Sequence, residues 1–171
     1  MQPLPHLGIA LLAFVTLQRL AELVYARRNE RQLKARGARE HGPEHYWLLV
    51  TLHAAWLTGL WLMAVQKPVS LPWLAAFVAL QGLRLWVLLA LRERWTTRIV
   101  VVPAAPLIRT GPYRFMSHPN YAIVAGEIFV LPMAFGLYAF AIVFSLLNAG
   151  ILRVRIRAEN RALGLASEQP R

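Results

Sequence analysis

Five apolar runs, roughly Leu4–Ala26, Tyr46–Gln66, Leu71–Leu91, Tyr121–Gly136 and Leu137–Leu152, alternate with short basic clusters along a chain of 171 residues. The first three hold about the 20 residues that hydrocarbon demands of a spanning helix, and the last two hold about 16. Only the Pro132/Gly136 region separates that last pair, which predicts a helical hairpin. In lipid every backbone N–H and C=O must be satisfied within its own segment, so runs of this length fold as helices. The expected fold is all-α: a polytopic integral membrane protein of about five transmembrane helices, near 4–26, 46–66, 71–91, 118–135 and 137–157, in a single domain over 1–171. Composition agrees, with 57% hydrophobic residues, 16% charged and a mean hydropathy of +0.44, where soluble domains carry about a quarter charged. The first run lacks a basic leader and a small-residue cleavage site and is too long for a signal peptide, so it reads as a membrane helix.

The net charge of +11 has a layout that excludes a nucleic-acid reading. Arg27, Arg28, Arg31, Lys34, Arg36 and Arg39 lie between the first two runs; Arg92, Arg94, Arg98, Arg109 and Arg114 lie between the third and fourth. Arg153, Arg155, Arg157, Arg161 and Arg171 follow the fifth, and the other connections contribute only Lys67. Basic loops on alternate sides follow the positive-inside rule. Five crossings with the N-terminus outside and the C-terminus cytoplasmic satisfy every loop, and the basic side attracts anionic lipid headgroups. Trp47 and Trp95 are expected at the inner interface and Trp61 and Trp73 at the outer, with Trp56 and Trp86 deeper as packing residues.

Chemistry concentrates at the fourth helix start, where Thr110-Gly111-Pro112-Tyr113-Arg114 is followed by His118-Pro119-Asn120-Tyr121. On a helix beginning near His118, that histidine shares a face with Tyr121, Ala122 and Ala125, leaving room for a ligand against the backbone; a simple cap is the plainer role for it. Glu127 falls about 180° away at 100° per residue and reads as a structural buried acid that Arg84 could pair. On the last helix Arg155 and Glu159 each lie within about 20° of Asn148, a polar stripe about 16 Å long. An i,i+4 ion pair would account for Arg155 and Glu159, and snorkelling to headgroups for Arg153 and Arg157. Asn148, deeper in the same stripe, wants a polar partner or a ligand. Gln18, Arg19 and Glu22 on the first helix, and His53 on the second, are expected to knit helices together by interhelical hydrogen bonds.

Several chemistries are excluded. There is no cysteine and no aspartate, so thiolate nucleophiles, disulfides and cysteine metal sites are out, and a carboxylate–histidine metal site is not expected. Ser70, Ser117, Ser145 and Ser167 have no evident acid and base partners, and no glycine-rich nucleotide loop is present.

The stretch Gly111-Pro112-Tyr113-Arg114 to His118-Pro119-Asn120-Tyr121 resembles the signature of the isoprenylcysteine carboxyl methyltransferase family, a loop of the form Gly-x-Tyr to His-Pro-x-Tyr entering a membrane helix. Arg155-x-x-x-Glu159 is similar to that family's Arg-x-x-x-Glu near the end of its C-terminal helix. Arg19-x-x-Glu22 and the Glu44-His45-Tyr46 to His53 region resemble small bacterial members found beside type III polyketide synthases. The resemblance covers essentially the whole chain. It implies an S-adenosylmethionine-dependent methyltransferase, with His118, Pro119, Tyr121, Arg155 and Glu159 as cofactor-binding residues; Asn148, on the same stripe, is expected to join them, and Arg114 and Tyr113 are expected to orient the acceptor. A planar guanidinium suits the donor's carboxylate and a carboxylate suits its ammonium.

The expected activity is O-methylation of a lipophilic small molecule entering from the bilayer, a polyketide phenol or pyrone first and a prenylcysteine carboxylate second. A phospholipid amine N-methyltransferase, an NADPH-dependent enzyme of the sterol-reductase type and a small transporter are the alternatives. The transporter requires a polar path open to both faces, whereas the polar chemistry here crowds one side. The sequence does not fix an oligomeric state.

Overall fold

A computed structural model describes residues 5–103 and 105–164. Leu4, Ser167 and Arg171 lie outside the described residues. Five helices make up most of the chain: α1 (Pro5–Ala35), α2 (Tyr46–Ala64), α3 (Leu71–Leu91), α4 (Pro119–Ala134) and α5 (Tyr138–Ala162). Four of them are long and apolar enough to cross a membrane, and α4, at 16 residues, is shorter. The expected hairpin is present: Phe135, Gly136 and Leu137 reverse the chain, Gly136 at φ 68°, and Phe135 N and Leu137 N both donate to Pro132 O. α3 packs along α4 and α4 along α5, with Ser70 N donating to Ala134 O where the start of α3 meets the end of α4.

The outside of the bundle is greasy. Leu17, Val24, Leu62, Leu85, Leu89 and Leu146 are exposed, and only 17–22% of the apolar window of each candidate span is buried within the chain. That is the surface a bilayer solvates, and in water so large an apolar belt would drive aggregation. Inside, Leu12, Trp56, Leu60, Phe77, Ile128 and Leu131 form the main core.

Two helices overrun their apolar runs. α1 continues from Ala26 to Ala35, so Arg27, Arg28, Arg31 and Lys34 stand on a helix rather than in the basic loop expected between the first two runs. Tertiary contacts explain the extension. Ala26, Asn29 and Leu33 are buried, and Asn29 Nδ2 donates to Arg92 O (3.1 Å) and Trp95 O (2.8 Å). α5 likewise continues to Ala162, carrying Arg155 and Glu159 on its last turns. Trp95, expected at the membrane interface, is instead buried, stacked on Tyr25 at 5.9 Å between ring centres. Trp86, expected as a packing residue, is exposed, while Trp56 is buried as expected and donates to Ile128 O.

A small antiparallel sheet went unforeseen. β1 (Arg39–His41) pairs with β2 (Ile99–Val101) in the register Arg39 with Val101, Glu40 with Val100 and His41 with Ile99. It joins the two polar stretches that the sequence presents as separate loops. Glu40 closes the joint, accepting from Lys34 Nζ (2.7 Å) and Arg98 Nη1 (2.5 Å). Those two cations overcome the cost of burial and hold its carboxyl below the usual range.

A charged network ties α1, α3 and α4 at mid-bundle. Glu127, fully buried, accepts at Oε1 from Gln81 Nε2 (2.8 Å) and Arg84 Nε (2.7 Å), and at Oε2 from Arg84 Nη2 and Arg19 Nη2 (2.5 Å). Glu22 accepts from Gln18 Nε2, Arg19 Nη1 and Arg84 Nη1. The expected Glu127–Arg84 pair is therefore present, and Arg19 joins it. His53 does not knit helices: its Nδ1 lies 2.9 Å from Leu49 O on its own helix.

Removing one partner of a buried pair strands the other charge, at a cost of about 3–5 kcal/mol, whereas removing both is often close to neutral. Glu127→Leu should therefore lower the detergent-solution melting temperature more than the double change Arg84→Met with Glu127→Leu, which leaves Arg19 on Glu22. Thermal unfolding followed by circular dichroism checks this, and a double variant weaker than both singles would refute it.

Candidate active site

Gly111 seats the motif loop. Its φ of 59° is left-handed, and a Cβ there would lie 3.0 Å from the Ala90 Cβ and 3.3 Å from Trp86 Nε1 on α3. Only glycine tolerates both the backbone twist and the close approach. The one-turn 3-10 helix that follows, Gly111–Arg114, buries Pro112 and lays Tyr113 against Ala26, Val87, Trp95 and Ile123. Burial, and then the Glu159 charge, push the Tyr113 phenol well above its ordinary pKa.

His118 stands just before α4, its ring stacked on Tyr121 at 5.5 Å. Nε2 is 2.9 Å from Asn160 Oδ1, and Nδ1 is 3.5 Å from Glu159 Oε2. Read with the amide oxygen facing it, the ring has an acceptor on each side. The neighbouring Glu159 carboxylate, with Asn160 behind it, raises the pKa of His118 above the ordinary value.

Arg155 and Glu159 do not pair with each other among the described residues. Arg155 is 4% exposed; its Nη2 donates to Thr97 O at 2.8 Å, its guanidinium carbon lies 6.0 Å from the Tyr121 ring centre, and its Nε has no hydrogen-bond partner. Glu159 Oε2 is also buried, with the long 3.5 Å ion-pair contact to His118 Nδ1 and no closer hydrogen bond, and Asn120 Oδ1 is buried without a hydrogen-bond partner. A simple surface ion pair is therefore not what this i,i+4 spacing produces.

These groups line one cavity of about 860 Å³. One end is polar, built by Tyr113, Arg114, His118, Tyr121, Arg155 and Glu159. The other runs between α1 and α2 past Leu20, Leu23, Val50, Ala54 and Leu57, and the β2 strand with its flanks covers the side. Arg114 is an exposed residue of this wall, its charge 5.7 Å from the Phe115 ring centre.

Two of the residues singled out from sequence do not line the cavity. Pro119 is buried as the first residue of α4. Asn148 is 1% exposed with both amide atoms lacking a hydrogen-bond partner, but it sits seven residues, about 10 Å along the helix, from Arg155. Leu152, between them, closes the wall. Other polar groups at the site escaped sequence reading. Asn120 and Thr97 line the cavity, and Asn160 holds His118. Asn120 was visible as the variable position inside the motif. Thr97 had no signal, because its part is played by a backbone carbonyl.

Residues 73–165 match the profile described as the isoprenylcysteine carboxyl methyltransferase (ICMT) family, more than half of the chain and all of the motif loop, α4 and α5. The chain belongs to the isoprenylcysteine carboxyl methyltransferase family. Among relatives, "Uncharacterized protein YpbQ" of Bacillus subtilis (strain 168) is 40% identical over 158 residues, 90% of this chain and 94% of that protein. An "Uncharacterized protein" of Haemophilus influenzae (strain ATCC 51907 / DSM 11121 / KW20 / Rd) is 27% identical over 147 residues, 80% of this chain and 83% of its own length. No solved structure gives a significant match. Family membership makes this a membrane methyltransferase in general terms.

His118 should titrate above about 6.5, the unperturbed histidine value. Its charged form is the one the fold favours, so its contribution to stability is complete below that value and is lost as pH rises through the raised folded value. Imidazole NMR titration of the folded protein, with Glu159→Gln expected to lower the midpoint, checks this. A midpoint at or below 6.5 in the unaltered protein would refute it.

Proposed function

We propose that the protein is an S-adenosylmethionine-dependent O-methyltransferase acting on a lipophilic small molecule. The observation that carries this reading is an arginine and a glutamate on one cavity wall that do not pair with each other: Arg155 Nε has no hydrogen-bond partner, and Glu159 Oε2 meets the long 3.5 Å contact with His118 Nδ1. Leaving a buried polar atom without a hydrogen bond costs about 1–3 kcal/mol, and a cation and a loosely held anion side by side suit a ligand that carries both charges. The amino-acid end of S-adenosylmethionine is such a ligand. Arg155 would take its carboxylate and Glu159 its ammonium, with His118 and Tyr121 beside them as an aromatic wall. Bound there, the group supplies an electrophilic methyl on a sulfonium.

The chain's own part is alignment in a water-poor site. The apolar end of the cavity suits the hydrocarbon body of an acceptor arriving from the bilayer, and the polar end its reacting oxygen. Tyr113 and Arg114 orient that oxygen in this reading. A polyketide phenol or pyrone is the first acceptor class and a prenylcysteine carboxylate the second. In this reading the polar end faces the cytoplasmic side of an inner membrane, where the donor is made, and the alternation of basic clusters supports it.

Calorimetry of detergent-purified protein tests the assignment. Micromolar S-adenosylmethionine binding is expected, weakened about 10- to 100-fold in Glu159→Ala and in Arg155→Ala, the range for one lost charge-assisted hydrogen bond. Binding of NADPH in its place would move the protein to reductase chemistry. Unimpaired turnover in Arg114→Ala would remove that residue from the acceptor site.

A further inference from the structure

His53 is a histidine whose tautomer the fold has already chosen. Its Nδ1 lies 2.9 Å from the Leu49 carbonyl, which can only accept, so Nδ1 carries the proton and Nε2 keeps its lone pair. Among the described residues nothing hydrogen-bonds Nε2, and the half-buried side chain lines the same cavity as Tyr121, Arg155 and Glu159. Depth follows from a neighbour. Trp56, three residues on, donates to Ile128 O across the α2–α4 contact. His53 therefore stands near the α4 turn of Val124, one turn deeper than Tyr121. Val124 lines the cavity between them.

The charged groups around His53 are Arg19 and Glu22 from α1, Arg84 from α3 and Glu127 from α4. Their two cations and two anions are largely satisfied among themselves. Arg19, however, keeps a buried Nε with no partner, and it also lines the cavity. His53 and Arg19 thus both line the cavity where its apolar part begins, the one with an Nε2 lone pair that no described group answers and the other with a positive charge.

We propose that His53 is the general base for an acceptor that must lose a proton, with the nearby Arg19 charge favouring the oxyanion, which assigns the acceptor to the phenols rather than the carboxylates. This rests on the O-methyltransferase reading above. A carboxylate is already ionised at neutral pH and needs no base, whereas a phenol with a pKa near 10 does. The phenol O–H proton passes to His53 Nε2. The phenolate oxygen forms the new O–CH3 bond as the S–CH3 bond breaks, and that bond's electron pair stays on sulfur. The products are an aryl methyl ether, the neutral thioether and a protonated His53, which then releases its proton.

The test compares two acceptors in three proteins: the unaltered chain, His53→Asn, which can still bond Leu49 O, and His53→Gln. The acceptors are a long-chain alkylresorcinol and its ring-nitrated analogue, which is already ionised at the assay pH. Both variants should bind S-adenosylmethionine within about 2-fold of the unaltered protein. On the alkylresorcinol they should lose at least about 100-fold in kcat, and on the nitrated analogue under about 10-fold, since general-base help is typically worth about 10²–10⁴. Without any donor, absorbance of the bound nitrated analogue near its own pKa should show more phenolate in the unaltered protein than in His53→Asn.

Equal losses on both acceptors, loss of donor binding in both variants, or no difference in bound phenolate would each overturn the proposal in favour of a packing role. An unaltered protein that binds the donor but methylates only a prenylcysteine carboxylate overturns the base while leaving the methyltransferase reading intact. Failure to bind the donor at all sinks both.

Discussion

A carboxylate with no exposure in the middle of a helix bundle persists only if every lone pair is answered, because hydrocarbon offers it nothing. Glu127 is in that position, and the protein answers it with Arg84, Arg19 and Gln81 from two other helices. The requirement is geometric as well as energetic. α1, α3 and α4 must hold one register for four donors to converge, and apolar packing alone would let such helices slide or rotate. The network thereby fixes where α4 begins, and with it where His118 and Tyr121 stand.

The same residue types are treated in the opposite way at the polar end of the cavity. Arg155 and Glu159 are an arginine and a glutamate one turn apart, yet each retains a buried atom with no hydrogen-bond partner. Arg155 is diverted to the Thr97 carbonyl and the Tyr121 face, and Glu159 leans on His118. A chain that satisfies Glu127 so fully has the means to satisfy these two. Neither is held by the other, and desolvation makes any charged interaction at that wall strong.

The helices were legible because each apolar run reports its own burial in lipid. α3 was read to the residue, and the α4–α5 hairpin follows from Pro132 and Gly136. The ends of α1 and α5 were not, since beyond the apolar run helix length is set by contacts, such as Asn29 with the Arg92 and Trp95 carbonyls, that no periodicity records. The three-residue strands β1 and β2 are too short to carry an alternating pattern, and their pairing joins residues about 60 positions apart. At the site, spacing put His118 near Tyr121 and Arg155 near Glu159. It also placed Asn148 in that stripe, where the intervening Leu152 shuts it out.

The sequence by itself determined that this chain lies in a membrane, which faces of α4 and α5 carry polar groups, and that the chemistry gathers at one end, because composition and helical period are local properties. Only the tertiary structure decided that Arg155 and Glu159 do not pair with each other, that β2, paired with β1, closes the side of the cavity, and that His53 contacts Leu49 O through Nδ1 while lining it. Those outcomes depend on which backbone carbonyl or side chain from a distant segment reaches a polar atom first, and that competition is settled in three dimensions.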